Sequence, residues 1–174
     1  MTDKELIRKV HSGNKDALNS IIEKYYDEIY RFCLYLTGWE ADSYDITQEV
    51  FLKFIRYVDS YQYKNLKGYL LTIARNLCYD HFRHKKEESC LEKAQGQGEE
   101  DPHLALAEDG LLLRDALFKI PEEQREVIIL RIYEEFKFTQ IAGMLGCSLS
   151  TAKSRYRLGI RKLREIMEEE RYGY

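Results

Sequence analysis

Residues 138–164 read FTQIAGMLGCSLSTAKSRYRLGIRKLR, and how this stretch folds decides the architecture around it. Phe138 to Leu145 places Ile141, Ala142 and Leu145 at helical spacing, and a second periodic run begins after Ser148. That run carries Ala152, Tyr156, Ile160, Leu163 and Met167 on one side, to about Glu169. Between the two stand Gly146, Cys147 and Ser148, a glycine free to take positive φ followed by a serine placed to cap the next helix. Helices joined by so short a turn must cross steeply, and Ala142 and Ala152 are small where they meet. The pattern is that of a helix-turn-helix. From Gly146 to Arg164 there are six Lys or Arg residues and no Asp or Glu, in a 174-residue chain whose net charge is -3. Ser150, Lys153, Ser154, Arg157, Arg161 and Arg164 fall on the outward face, with Arg155 at its flank. Short hydroxyls and long cations near the N-terminal end of such a helix suit the major groove, where they reach base edges while flanking cations take phosphates. The acids lie elsewhere, and a duplex responds to local charge rather than to the total. A helix lying on anionic lipid would call for large apolar residues where Ala152 and Gly159 stand.

Upstream of this motif, GLLLRDALFKI (110–120) reads as a helix that stops before Pro121, and PEEQREVIILRIY (121–133) as a helix with Pro121 at its first position and acids in its first turn. In the N-terminal half a long amphipathic helix starts at Asn14, with Ala17, Leu18, Ile21, Ile22, Tyr25, Ile29, Phe32, Cys33 and Leu36 at three- and four-residue spacings and Gly38 as its stop. A second helix starts near Glu40 with Tyr44, Phe51, Phe54, Ile55 and Val58 inward. A third runs from about Leu66 to Lys86 through Leu70, Ile73, Ala74, Leu77 and Tyr79. Three such faces close on one another as a bundle. With only two prolines, ten glycines and 44% hydrophobic residues, the chain is expected to be all-α. Between Glu87 and Asp109 eight acids face a single Lys93, with QGQG and Pro102 in the middle. Same-sign repulsion and low hydrophobicity mark a flexible acidic linker, so the expected plan is two small helical domains, 1–86 and 110–174, joined by 87–109.

Two further surfaces stand out. TIARNLCYDHFRHKK (72–86) places Arg75, Asn76, Arg83 and Lys85 close to Tyr57, Tyr61, Tyr63 and Tyr69, and cations interleaved with aromatic rings suit single-stranded nucleic acid, whose backbone they track and whose bases they stack. YDITQEVFLKF (44–54) turns Asp45, Gln48, Glu49, Leu52 and Lys53 away from the core stripe, and an outward leucine among charges fits equally a docking surface for another protein's helix and a polar face with one stray leucine. Cys78, His81, His84 and Cys90 are grouped, but His84 points away from the face that Cys78 and His81 share, and no metal or other cofactor is expected. Neither a phosphate-cradling glycine loop nor a nucleophile elbow is present, so the protein is read as not an enzyme. MTDKELIRKV has acids where a signal peptide needs a basic start, and no apolar run approaches a membrane span, which points to a cytoplasmic protein.

YDITQEVFLKF, LKGYLLTIARNLCYDHFR (66–83) and IPEEQREVIILRIYEEFKFTQIAGMLGCSLSTAKSRYRLGIRKLR (120–164) resemble, in order and spacing, regions 2.2, 2.3 to 2.4 and 4.1 to 4.2 of bacterial extracytoplasmic-function sigma factors of the sigma-70 family. The resemblance implies a region 2 bundle of three to four helices (1–86) and a four-helix region 4 with the helix-turn-helix (110–174). It implies that Asp45, Gln48, Glu49, Leu52 and Lys53 dock on the β′ clamp coiled coil of core RNA polymerase, with region 4 at the β flap. Tyr57, Tyr61, Tyr63, Tyr69, Arg75, Asn76, Arg83 and Lys85 would then serve the promoter -10 element, where an unpaired base is captured. Ser150, Thr151, Lys153, Ser154 and Arg157 would read the -35 duplex, with Arg155, Arg161 and Lys162 on its backbone. The linker would thread near the RNA exit path, and an anti-sigma factor is an implied partner. Tyr69 stands where the family often has Trp, and Leu158 and Ile160 where relatives commonly place basic residues. The competing reading is an autonomous helix-turn-helix regulator that binds operators as a dimer.

Overall fold

The computed structural model describes residues 1–62, 64–91 and 108–173, with side chains for 1–62, 64–88 and 112–173. Every helix or strand among them is helical. The chain divides into two compact units, Met1–Gly98 and Glu99–Tyr174.

The first unit contains α1 (Asp3–His11), α2 (Lys15–Thr37), α3 (Glu40–Tyr57), a single 3₁₀ turn (Val58–Ser60) and α4 (Leu66–Leu91). α2, α3 and α4 pack on one another, and α1 lies against α2. Local signals set the ends. Asn14 caps α2 by accepting the Ala17 N–H at 3.0 Å, and Gly38 closes it in the left-handed region at φ 78°. Phe32, Phe54, Ile21, Ile29, Leu36, Leu70 and Leu71 are fully buried, each contributing about 1.5–3 kcal/mol relative to exposure. α4 continues past Lys86 to Leu91, so its last turn occupies the start of the expected linker; residues 92–107 of that segment lie outside the described residues.

α1 was not anticipated. Thr2 accepts the Glu5 N–H at 3.3 Å while Glu5 Oε2 accepts the Thr2 N–H at 2.8 Å, a reciprocal cap that starts the helix, and Leu6 and Ile7 bury its inner side. The inward stripe of α3 also differs from expectation. Tyr44 and Ile55 are 51% and 41% exposed, and Ser43, Ile46, Thr47, Val50, Phe51 and Phe54 face inward. Burial of two hydroxyls is tolerated because both are bonded: Ser43 Oγ donates to the Trp39 carbonyl at 2.6 Å and pairs with Thr37 Oγ1 at 2.7 Å, while Thr47 Oγ1 donates to the Ser43 carbonyl at 2.6 Å.

The second unit contains α5 (Glu108–Lys119), α6 (Glu122–Ile128) running into a wide π turn (Ile129–Tyr133), α7 (Phe138–Leu145) and α8 (Leu149–Tyr172). Pro121 is the cap of α6 rather than its first helical residue: its ψ of 144° is extended, and its carbonyl accepts the N–H groups of Gln124 and Arg125 at 3.0 Å each. Arg125 is buried. Its Nε donates to the Leu117 carbonyl at 2.9 Å and its Nη2 to the Ile120 carbonyl at 3.3 Å, and its guanidinium lies over the Phe118 ring at 4.4 Å. One cation thus satisfies carbonyls at and just beyond the end of α5 that no helical N–H reaches.

α8 buries a narrow stripe of small side chains, Ala152 and Gly159, with Leu163 below them. A Cβ on Gly159 would stand 2.8 Å from Ile128 Cδ1 and 3.1 Å from Gln124 Cβ, so the glycine permits α6 and α8 to approach. Gly159→Leu is therefore expected to destabilise this unit by about 2 kcal/mol or more, since the overpacking exceeds the gain in helix propensity. Urea denaturation followed by circular dichroism checks it, and an unchanged midpoint would contradict the close approach.

Candidate nucleic-acid interface

The α7–turn–α8 motif forms as the spacing indicated. Gly146 takes φ 63° at the end of α7, and Ser148 caps α8 by accepting the Thr151 N–H at 3.1 Å. The same Ser148 hydroxyl donates to Thr151 Oγ1 at 2.8 Å and lies 3.2 Å from Ser150 Oγ, so the first hydroxyls of the helix form one capping cluster. Ile141, Ala142 and Ala152 are buried where the helices cross, and Phe138 meets Tyr156 edge-to-face at 5.3 Å. With these held inside, Ser150, Lys153, Ser154, Arg157, Arg161 and Arg164 are exposed on one side of α8. Thr151, Arg155 and Lys162 lie on the adjoining flank; there Arg155 is half-buried with Nη2 3.6 Å from Glu123 Oε2, while Lys162 is exposed. Along the other flank runs a groove of about 530 Å³, floored by Phe138, Tyr156 and Ile160 and bordered by Lys153, Arg157 and Arg164.

In the first unit, the Tyr61 and Tyr69 rings lie against each other tilted by 45°, at 4.8 Å between centroids, and Tyr69 meets Phe54 edge-on at 6.4 Å. Core packing thus holds one ring of the pair, which presents the other. Tyr57 is 52% exposed nearby in sequence, and Tyr63 lies outside the described residues. On α4, Tyr69, Asn76 and Arg83 recur every seven residues and share one face, with Asn76 and Arg83 exposed. Arg83 Nη2 donates to Asp80 at 2.6 Å, and Arg75 lies over the Tyr79 ring at 4.6 Å with Nη1 3.4 Å from Asn76 Oδ1.

Lys85 departs from this group. It lies on the opposite side of α4, where its Nζ donates to Asp42 Oδ2 at 2.6 Å and sits 5.6 Å from the Trp39 ring. His81 Nε2 stands 3.0 Å from the same oxygen. Cys78 is buried in the core and His84 is exposed, while Cys90's side chain lies outside those described. Among the described residues no group of three His, Cys, Asp or Glu is placed to hold a metal, and no helix is long and apolar enough to cross a membrane.

The outward face of α3 carries Asp45, Gln48 and Leu52 exposed and Glu49 and Lys53 half-buried. Tyr44 and Ile55, expected in the core, border this face instead, so Tyr44, Leu52 and Ile55 form an apolar edge beside a charged one. Exposure of three large apolar side chains on one helix is a stronger interaction signal than one leucine.

Burial of the Asp42 carboxyl raises its pKa, but the hydrogen bond from Lys85, with the Lys85 ammonium and the His81 imidazole close by, outweighs this and holds it below the usual carboxylate range. A depressed folded-state pKa contributes stability above the unfolded value of about 4, and that contribution is lost as pH falls through the folded value. Asp42→Asn is expected to lower stability by about 1 kcal/mol at pH 7, with the difference from the parent protein vanishing near pH 2. Urea titrations at both pH values read this out, and a pH-independent difference would exclude the charge pairing as its cause.

The chain matches the family model described as Sigma-70 region 2 over residues 21–88 and that described as Sigma-70, region 4 over residues 110–163. It is 29% identical to the ECF RNA polymerase sigma factor SigW of Bacillus subtilis, over 97% of this chain and 98% of SigW. It is 30% identical to the ECF RNA polymerase sigma factor SigL of Mycobacterium tuberculosis, over 91% of this chain and 95% of that protein. Among solved structures, the sigma factor RpoE of Bartonella quintana, determined with the anti-sigma factor NepR, superposes with a TM-score of 0.78 at 25% identity, covering 86% of this chain and 96% of that one.

Proposed function

The chain belongs to the extracytoplasmic-function group of the sigma-70 family, and from that premise we propose how its surfaces divide the work of initiation. It is a sigma factor, which binds core RNA polymerase and directs transcription to promoters through their -10 and -35 elements. The observation that carries this reading is the presence, in one chain and in order, of two helical units matched to region 2 and region 4, the second with a helix whose outward face is cationic and without acids from Ser150 to Arg164.

In this reading residues 1–86 act as region 2, 110–174 as region 4, and the acidic 87–109 as the linker between them. The α3 face of Asp45, Gln48, Glu49, Leu52 and Lys53, extended by Tyr44 and Ile55, docks on the β′ clamp coiled coil, while the second unit lies at the β flap. Apolar residues supply the contact area and the flanking charges set its register. The Tyr61–Tyr69 pair, with Asn76 and Arg83 on the same side of α4, receives unpaired bases of the -10 element, for which stacking is sequence-tolerant and hydrogen bonding selective. On α8, Lys153, Ser154 and Arg157 meet base edges of the -35 duplex and Arg161, Lys162 and Arg164 its phosphates. Ser150 and Thr151, tied into the cap, stiffen the start of the helix as much as they contact bases. The chain performs no chemistry of its own, works in the cytoplasm with the polymerase, and is restrained by an anti-sigma partner such as the one bound to the Bartonella relative. A dimeric operator-binding regulator has no need of a second unit matched to region 2.

Asp45→Lys with Glu49→Lys is expected to weaken binding to core polymerase at least about tenfold, measured by fluorescence anisotropy, because like charges then meet at the docking face. Unchanged affinity would remove that face from the assignment. Lys153→Ala and Arg157→Ala are each expected to cost about 1–3 kcal/mol, read as reduced run-off transcription from promoters with an intact -35 element. The same substitutions should have little effect when the -35 sequence is scrambled. Equal loss on both templates would contradict base reading by these side chains.

A further inference from the structure

α1 lies outside the span matched as region 2, and nothing in the sequence assigned it a role. It is nevertheless tied at both ends. Near its start the Asp3 carboxylate accepts from Lys24 Nζ and from the Tyr25 hydroxyl, each at 2.6 Å, and Leu6 and Ile7 anchor its middle in the core. At its end His11 Nε2 stands 2.8 Å from the carbonyl oxygen of Val58. A carbonyl only accepts, so this ring nitrogen carries the proton and donates it.

That carbonyl is the one that shapes the approach to α4. The Tyr61 N–H also donates to it, at 3.1 Å, closing the 3₁₀ turn that delivers Tyr61 to its place against Tyr69. Both acceptor positions of one oxygen are therefore used, one by the residue that presents the aromatic ring and one by α1. The far end of the loop is pinned separately, by Asn65 Oδ1 accepting the Gly68 N–H at 3.0 Å. Between α1 and the loop a shallow pocket of about 250 Å³ leaves Tyr61 facing Asp3, Lys4 and Ile7 across open space. The buried Val58 side chain anchors the loop start on the core, so what His11 adds is the direction of the Val58 carbonyl rather than the packing.

We propose that His11 is a positioning residue for -10 recognition: by holding the Val58 carbonyl it fixes the turn that aims Tyr61, and so sets how sharply bases of the -10 element are discriminated. This rests on the assignment of Tyr61 to that element. A ring misplaced by a fraction of an ångström still stacks, because stacking tolerates any base, but the base it holds is then offset from the hydrogen-bonding groups of Asn76 and Arg83 that carry the selectivity.

The test uses the full-length protein with core polymerase, measuring open-complex formation on a promoter and on variants carrying single-base changes in the -10 element. His11→Ala is expected to reduce discrimination about five- to tenfold, within the range a single base-specific contact contributes. Affinity for core polymerase and dependence on the -35 element should stay unchanged. His11→Gln, whose amide nitrogen reaches the position of Nε2, should restore most of the discrimination, which a purely structural lesion would not allow. In a Tyr61→Ala background His11→Ala should have no further effect on discrimination. Equal behaviour of the Ala and Gln variants, or an undiminished effect of His11→Ala without Tyr61, overturns the proposal. If His11→Ala does not fold, the Gln variant decides, since its loss of discrimination to the level of Tyr61→Ala would equally overturn it. A parent protein that initiates normally while Tyr61→Ala leaves discrimination intact refutes the role of Tyr61 and this inference with it. Failure of the parent protein to initiate with core polymerase refutes the family function itself.

Discussion

The close approach of α6 and α8 at Gly159 is the contact on which the C-terminal unit depends. With no side chain at that position, the helices pack at a distance set by backbone, Gln124 and Ile128. α8 can then satisfy its core with a stripe only as wide as Ala152, Gly159 and Leu163, leaving more than half of its circumference to polar groups. A helix that buried a broader face would have to turn some of Lys153, Arg157, Arg161 and Arg164 toward the core, where unpaired charge is costly. The charged face is thus a consequence of how little the helix buries.

The first unit uses the same economy of size with different residues. Ser43 and Thr47 sit inside α3 with their hydroxyls bonded within their own helix or to Thr37, and their small volume lets α2 and α3 close together. The helix surface that larger residues would have used is released outward, carrying Tyr44, Leu52 and Ile55 with it. An apolar outer edge on α3 and a cationic outer face on α8 arise from one physical cause: small residues inward, large ones left on the surface.

How much of this was legible follows from where each signal resides. The helix-turn-helix was readable because its determinants are local: Gly146 in the left-handed region, Ser148 at the cap and Ile141 and Ala152 at the crossing lie within a dozen residues of one another. α2 was readable for the same reason. α1 escaped because it buries only Leu6 and Ile7, too few positions to show a period, although Thr2 and Glu5 spell its cap. The α3 stripe was misjudged because hydrophobicity ranks Tyr44 and Ile55 above Ser43 and Thr47, and only hydrogen-bond partners reverse that order. Of the candidate interface, the α8 face could be read directly, whereas the pairing of Lys85 with Asp42 and of Arg155 with Glu123 joins residues distant in sequence, which no spacing rule reveals. Burial of Arg125 was hidden likewise, since its partners are carbonyls of the preceding helix and of the turn beyond it.

That buried arginine bears on how ionic strength acts on the molecule. Cations that neutralise phosphates displace condensed counterions, and each adds about 0.9 to the steepness with which affinity for B-form DNA declines on a logarithmic salt scale. Arg125, whose nitrogens donate to carbonyls of its own chain, belongs to the formal charge but adds nothing to that steepness. In the proposed duplex contact, sensitivity to salt therefore follows the exposed cations of the DNA-facing surface and not the arginine total of the unit, so Arg125 raises the isoelectric point without strengthening the grip on a duplex.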